Sequence, residues 1–121
     1  MLVFILATLT SASVGVHART DHDLQLDSVL TITRLQYEGG GDWYANPSSL
    51  PNLLFAIRKR TGLPMSGRPD TVRPLDPSLK DYPYLYMTGH GKVRFSPEER
   101  VTLREYLLSG GFLHADDNYG M

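Results

Sequence analysis

The 121-residue chain contains no cysteine, a single tryptophan and no marked excess of charge of either sign. Without cysteine the chain has no disulfide bonds, no thiolate metal ligands and no thiol nucleophile. Its 12 basic and 13 acidic residues give a net charge of -1. Such a balance offers no basic field for nucleic acid and no polybasic segment for anionic lipid. The composition therefore excludes cysteine chemistry and predicts that nucleic acid is not a partner.

Long apolar runs are also absent, except at the start of the chain. Residues 1–18 contain no Lys, Arg, Asp or Glu, and Val16-His17-Ala18 fits a small-x-small cleavage site. The segment is too short for a confident membrane span, and a short apolar first strand is the alternative. We predict a signal peptide over residues 1–18 and a flexible lead-in over residues 19–28. The protein is then expected to be exported, and to be periplasmic or membrane-associated.

Residues 29–121 have a globular composition and the length of one small domain. Val29–Tyr37 is rich in β-branched residues, which predicts a strand. Ser48–Thr61 predicts a helix with Leu50, Leu53, Leu54 and Ile57 on its apolar face, and Gly62 ends it. A proline-rich connection follows, and its single short strand, at residues 71–73, is expected at a sheet edge.

The second half of the chain repeats the alternation of strand and helix. Tyr84–Thr88 predicts a buried strand, and Phe112–Ala115 predicts the last one. Between them, Ser96 and the Pro-Glu-Glu that follows have the pattern of a capped helix start. That helix is expected to run to Leu108, with Val101, Leu103 and Leu107 facing inward. Strands that alternate with helices predict an α/β fold with a parallel sheet and covering helices.

Polar, glycine-bearing loops follow the three main predicted strands. They read G-G-G-D-W-Y, T-G-H-G and D-D-N-Y-G. The C-terminal ends of parallel strands lie at one end of the sheet, where ligand sites form. We therefore expect one group of side chains, called the polar rim below, to meet there: Asp42, Trp43, Thr88, His90, Asp116, Asp117 and Asn118.

Most rim residues also have a structural interpretation. Asp42 could cap a turn, and Trp43 with Tyr44 could cover the end of the sheet as ordinary packing rather than form a platform for a sugar or base. His90, between two glycines, is expected to be exposed, and the roles of general base, hydrogen-bond donor and metal ligand are all open to it. His114, within the last strand, is expected to be a hydrogen-bonded core histidine.

Asp116 and Asp117 are the more specific feature of the rim. Two adjacent carboxylates repel each other unless a cation, backbone amides or a shared proton compensates. With His90 they could begin a metal site, although the spacing identifies no particular metal. The sequence does not specify a cofactor or a ligand.

Four segments of the sequence resemble one known family. They are R-L-Q-Y-E-G-G-G-D-W-Y-A-N-P, L-P-N-L-L, Y-P-Y-L-Y-M-T-G-H-G and G-G-F-L-H-A-D-D-N-Y-G. In this order they are similar to the bacterial domain-of-unknown-function 4159 family, over roughly Thr31 to Met121. The resemblance implies a class I glutamine amidotransferase-like fold, which is a flavodoxin-like parallel sheet with flanking helices, in an exported or membrane-associated bacterial protein. It implies no established reaction.

The resemblance also bears on completeness and on activity. Members of the family continue beyond D-D-N-Y-G, so residues 29–121 are expected to be the N-terminal part of an incomplete, truncated domain. Glutamine amidotransferases need a cysteine nucleophile, which is missing here.

Three hypotheses about function follow. The first is a non-catalytic ligand-binding or interaction module, for which a protein of the cell envelope is a partner to consider. The second is a metal-dependent hydrolase of the cell envelope that uses His90, Asp116 and Asp117. The third is a chain that is inactive by itself, with an open sheet edge that favours aggregation.

Overall fold

The computed structural model describes residues 29–119, so the predicted signal peptide and lead-in lie outside the described residues. Four parallel strands form one sheet in the order β2-β1-β3-β4. The α/β, flavodoxin-like arrangement is thus confirmed. Its elements are β1 (Thr33–Leu35), α1 (Ser49–Thr61), β2 (Asp70–Val72), a 3-10 helix (Pro77–Asp81), β3 (Tyr84–Gly89), α2 (Pro97–Leu108) and β4 (Phe112–Asp117).

Two layers of apolar side chains hold the helices against opposite faces of the sheet, because successive strand residues point to opposite sides. Leu85 of β3 belongs to the cluster beneath α2, and Tyr86, the next residue, belongs to the cluster beneath α1. The α2 cluster consists of Leu35, Val72, Leu79, Leu85, Leu103 and Tyr106. The α1 cluster consists of Ile32, Leu50, Leu54, Met65 and Tyr86.

Helix α1 begins and ends close to the predicted positions. Gly62 ends it in a left-handed conformation, with φ of 73°, and its N–H donates to the Arg58 carbonyl at 3.1 Å. Leu50 and Leu54 are buried as predicted, whereas Leu53 is 39% exposed because it lies at the margin of the apolar face. Ser48 is the N-cap residue, but its side chain makes no capping hydrogen bond.

Helix α2 has the predicted capping box and a different inward face. The Glu99 N–H donates to the Ser96 hydroxyl, and the Ser96 N–H donates to the Glu99 carboxylate at 2.7 Å. Leu103 faces inward as predicted, but Val101 and Leu107 are 57% and 46% exposed. Tyr106 takes the inner position instead, because its buried hydroxyl can donate a hydrogen bond to the Tyr82 carbonyl at 2.9 Å.

The two edge strands differ from the prediction by a few residues. Strand β2 lies at one edge, as its flanking prolines indicate, and is shifted by one residue from the predicted 71–73. Strand β4 extends to Asp117 rather than ending at Ala115, since its pairing with β3 continues as far as Gly89. None of the helices within residues 29–119 is long and apolar enough to cross a membrane.

Candidate functional site

The C-terminal ends of β1, β3 and β4 bring most of the polar rim together. In the β3–β4 register, Thr88 lies opposite Asp116 and Gly89 lies opposite Asp117. The loop after β1 lies against the loop after β3, where the Asp42 N–H donates to the His90 carbonyl at 3.3 Å. Residues that are up to 76 positions apart in the sequence therefore meet at one end of the sheet, as the strand directions predicted.

Asp42 and His90 join the first two loops through backbone and side chain. One oxygen of the Asp42 carboxylate accepts from the His90 backbone N–H, and the other lies 3.0 Å from the His90 Nδ1. The His90 side chain is 58% exposed and that of Asp42 is 33% exposed. The predicted exposure of His90 is confirmed, and the pair is accessible to a ligand from solvent.

The pKa of Asp42 is held below its ordinary value, first by the bond from the His90 backbone N–H and then by the bond to the His90 side chain. Because the carboxyl of Asp42 has a lower pKa in the folded protein than in the unfolded chain, its ionised form stabilises the fold at pH values above the unfolded pKa of about 3.9. This stabilisation is lost as the pH falls through the pKa of the folded protein. We therefore expect the amide signal of His90 in NMR spectra to shift with a midpoint below about pH 3.9. Asp42→Asn should remove that step, and a midpoint at or above about pH 4 in the unmodified protein would contradict the assignment.

Tyr37 supports both loops from below, and sequence reasoning missed it. Its side chain is only 2% exposed, and its hydroxyl donates to the Thr88 carbonyl at 3.0 Å. Gly41 and Gly89 both approach it so closely that a Cβ at Gly89 would stand 2.1 Å from the Tyr37 oxygen. Burial and, to a lesser degree, the charge of Asp42 raise the pKa of Tyr37, so the phenol stays protonated as a donor.

The third loop is joined to β3 by a side-chain and a backbone hydrogen bond. The Asn118 amide donates to the Thr88 hydroxyl at 3.2 Å, and the Asn118 N–H donates to the Gly89 carbonyl at 3.3 Å. The Tyr86 hydroxyl donates to the Asp116 carboxylate at 2.7 Å, so Asp116 faces the α1 side of the sheet. Asp117 is the next residue of the strand and points to the opposite face. This alternation separates the two adjacent carboxylates.

The structure does not bring all predicted metal ligands together. His90 pairs with Asp42, and no hydrogen bond or ion pair joins it to Asp116 within residues 29–119. In the same part of the chain, no group of three or more His, Asp or Glu side chains is arranged to hold a metal ion. The metal-site prediction thus lacks a ligand set among the described residues.

The contacts of Trp43 and His114 bear on two further predictions. Trp43 is partly buried and packs edge-on against Tyr44, with ring centroids 5.6 Å apart. This arrangement agrees with a packing role and leaves Tyr44 62% exposed. His114 was expected in the core, and this is wrong: it is exposed, although its Nδ1 is hydrogen-bonded to the Tyr84 hydroxyl at 3.0 Å. It is exposed because β4 is an edge strand whose residues are mostly exposed.

Two concave surfaces lie beside the sheet. A polar cleft of about 310 Å³ adjoins the C-terminal ends of β1 and β2, and it is lined by Gln36, Glu38, Arg73, Leu75, Asp76 and Glu99. An apolar groove of about 350 Å³ lies at the opposite end of the strands, and Leu30, Ile57, Met65 and Tyr84 are among its lining residues. No residue of the polar rim lines either of these two surfaces.

Comparison with known proteins identifies the family of the chain. No curated protein was found to match the chain. The family model described as "Domain of unknown function (DUF4159)" matches residues 31–121, which include all four strands, both helices and every residue of the polar rim. The chain belongs to the DUF4159 family.

Proposed function

We propose that this protein is an exported bacterial module that binds a small polar ligand, or a polar segment of a partner protein, at the polar rim. The Asp42–His90 contact is the observation that carries the proposal, because it fixes two glycine-rich loops together and leaves both side chains accessible. A fixed, solvent-facing carboxylate and imidazole need little rearrangement to bind a hydrogen-bonding partner.

The supports beneath the rim favour a binding site with a fixed shape. Tyr37 holds the Thr88 carbonyl, and Asn118 holds the Thr88 hydroxyl. Tyr86 holds the Asp116 carboxylate from the α1 side. Groups whose positions are set by neighbours lose less conformational freedom when a ligand binds, so more of the contact energy contributes to affinity.

A non-catalytic role agrees with the available nucleophiles. The chain has no cysteine, so a glutamine amidotransferase-like fold would lack the thiol on which that chemistry depends. Thr88 carries a hydroxyl at the polar rim, but the residue is 0% exposed. This hydroxyl oxygen accepts a hydrogen bond from the Asn118 amide. Asp42 and His90 therefore form an acid–imidazole pair with no activated nucleophile beside it in residues 29–119.

Export and the glutamine amidotransferase-like assignment are parts of the same proposal. The uncharged apolar segment over residues 1–18 and its small-x-small end support export, and the absence of cysteine is compatible with an oxidising compartment. The sheet order β2-β1-β3-β4 supports the finer fold assignment, since it is the order of the first four strands in flavodoxin-like sheets. N-terminal sequencing of the secreted protein, with a new terminus after Ala18, tests the export part.

A double substitution tests the rim. Sugars, amino acids and dipeptides are screened as probes by ligand-observed NMR, and the affinity of each probe that binds is then measured for Asp116→Asn/Asp117→Asn. Removing two charged acceptors should weaken binding by about tenfold or more, with little change in thermal stability. Asp70→Asn/Asp81→Asn is the matched control, because it makes the same charge change at the N-terminal ends of β2 and β3. Equal affinities for the two double variants would contradict the proposal.

Metal-dependent hydrolysis remains the alternative prediction, and no contact among the described residues favours it. Elemental analysis of the purified protein tests it directly. A stoichiometric divalent ion that is lost in the Asp116→Asn/Asp117→Asn variant would favour the hydrolase over the binding module.

A further inference from the structure

The polar cleft is a second concave surface at the end of the sheet where the strands terminate. Its lining includes Gln36, directly after β1, Arg73, directly after β2, and Glu99, in the first turn of α2. Its volume of about 310 Å³ lies within the range of small-molecule sites. The C-terminal ends of parallel strands are also where ligands of α/β proteins bind. The cleft is therefore a candidate site that is separate from the polar rim.

Carboxylates form most of the charged lining of this cleft. Glu38, Asp76 and Glu99 contribute three negative charges, and Arg73 contributes the one positive charge. No ion pair with Arg73, or with any other basic side chain of residues 29–119, neutralises these three carboxylates. The cleft is thus negatively charged and attracts a cation.

Glu99 places a largely buried carboxylate in the wall of the cleft. The residue is only 9% exposed, and its Oε2 accepts from the Ser96 N–H at 2.7 Å. Its other oxygen has no hydrogen bond within residues 29–119. That oxygen is not enclosed by protein, because in this part of the chain Thr33 Oγ1 is the one fully buried side-chain atom without a partner. Since Glu99 lines the cleft, its free oxygen is accessible from there.

Asp76 and Glu38 add further unoccupied acceptors. One Asp76 oxygen accepts from the Arg73 N–H at 2.8 Å, and the other has no hydrogen bond in the described chain. The Glu38 carboxylate has neither a hydrogen bond nor an ion pair within residues 29–119. Leu75 lies in the same wall and is 55% exposed. The cleft therefore offers free carboxylate oxygens beside an apolar side chain.

The spacing of the carboxylates favours an organic cation over a metal ion. A metal ion needs ligands that converge at short distances, and no three His, Asp or Glu side chains of residues 29–119 are arranged in this way. An ammonium group has three N–H donors and binds its acceptors at the longer distances of hydrogen bonds. An alkyl chain attached to it would also have an apolar contact in Leu75.

We propose that the polar cleft binds the alkylammonium group of a small primary amine. Glu38, Asp76 and Glu99 accept its N–H donors, and Leu75 contacts its alkyl carbons. The inference goes beyond the proposed function, because no residue of the polar rim lines the cleft.

An NMR titration of the full chain, labelled with nitrogen-15, tests this site with two cations at constant ionic strength. Butylammonium carries the proposed group, whereas tetramethylammonium has the same charge and no N–H donor. Butylammonium should give saturable shifts of amides within residues 36–38, 73–76 and 96–99. Tetramethylammonium should give none there, because the carboxylates would lack hydrogen-bond partners.

Glu38→Gln/Glu99→Gln should weaken butylammonium binding by about tenfold, since two charged acceptors are lost. Glutamine at position 99 retains the capping box, because its side chain can also accept from the Ser96 N–H. Asp81→Asn/Glu105→Gln is the matched control. It removes two exposed carboxylates that do not line the cleft, and it should keep the affinity of the unmodified protein.

Arg73→Met should change the affinity in the opposite direction. Removing the positive charge from the cleft lining should strengthen butylammonium binding by about twofold to threefold. A general loss of structure around the cleft would weaken binding instead, so the sign of this effect distinguishes an electrostatic role from a structural one.

Four results would overturn the proposal: no saturable shift with butylammonium at the cleft, equal binding of tetramethylammonium, full affinity in Glu38→Gln/Glu99→Gln, or an equal loss in the control variant. If the double variant does not fold, Glu38→Gln alone changes only an exposed side chain and should weaken binding by about threefold. An unchanged affinity in that single variant would also contradict the proposal.

Discussion

Gly89→Ala is expected to lower the free energy of unfolding by about 2–5 kcal/mol, as the sum of backbone strain and overpacking. Gly89 has a φ of 152°, and a Cβ there would stand 2.1 Å from the Tyr37 oxygen and 3.0 Å from the Asp42 carboxylate. Tyr37 is buried and cannot move aside without giving up its bond to the Thr88 carbonyl. Urea unfolding followed by the fluorescence of Trp43, the single tryptophan, measures the change.

Gly40→Ala is the matched control for this substitution. Gly40 also has a positive φ, at 91°, but nothing lies within 4 Å of its Cβ position. It should lose only the strain contribution, about 1–2 kcal/mol. Similar losses for the two alanine variants would show that the space between Gly89 and Tyr37 is not as tight as the structure places it.

Tyr37→Ala is expected to have the other largest effect, a loss of about 3–5 kcal/mol, which is typical for truncating a buried aromatic residue. The substitution empties the space beneath both rim loops and leaves the Thr88 carbonyl without its donor. Because the loops after β1 and β3 both rest on this ring, the Asp42–His90 contact should weaken as well. Urea unfolding gives the stability, and the NMR amide shift of His90 reports the contact.

Tyr37→Phe separates the hydroxyl from the ring. It should lose about 1–3 kcal/mol, the cost of leaving one buried acceptor unsatisfied. Tyr44→Ala, at a position that is 62% exposed, should change stability by no more than about 0.5 kcal/mol. If Tyr37→Ala cost no more than Tyr44→Ala, Tyr37 would not be the support of the rim.

The meeting of the rim residues could be predicted from sequence because it depends on strand direction alone. T-G-H-G and D-D-N-Y-G each follow a strand, and parallel strands end on the same side. The pairing within the rim could not be predicted in this way. His90 contacts Asp42 rather than Asp116, because the contact is set by how two glycine-rich loops fold against each other. Glycines in a sequence indicate that positive φ angles are allowed, but they do not specify which loop conformation is adopted.

Tyr37 was missed for a related reason. It was interpreted as part of an ordinary strand from Val29 to Tyr37, and nothing in the alternation of that strand marks a buried phenol. The prediction of the inward face of α2 was partly wrong, because apolar spacing favoured Val101 and Leu107, which are exposed. Tyr106 is buried instead, and its hydroxyl donates a hydrogen bond to the Tyr82 carbonyl. Burial of a polar side chain depends on a tertiary partner, which the sequence does not show.

Chemical-shift mapping tests the central claim, that the polar rim is the ligand site, most directly. The full chain is labelled with nitrogen-15, and its amide spectrum is recorded with the sugar, amino-acid and dipeptide probes. The account predicts that the probes that bind shift amides within residues 39–46, 88–91 and 116–118. Shifts confined instead to the apolar groove at the opposite end of the strands, around Leu30, Ile57, Met65 and Tyr84, would contradict it.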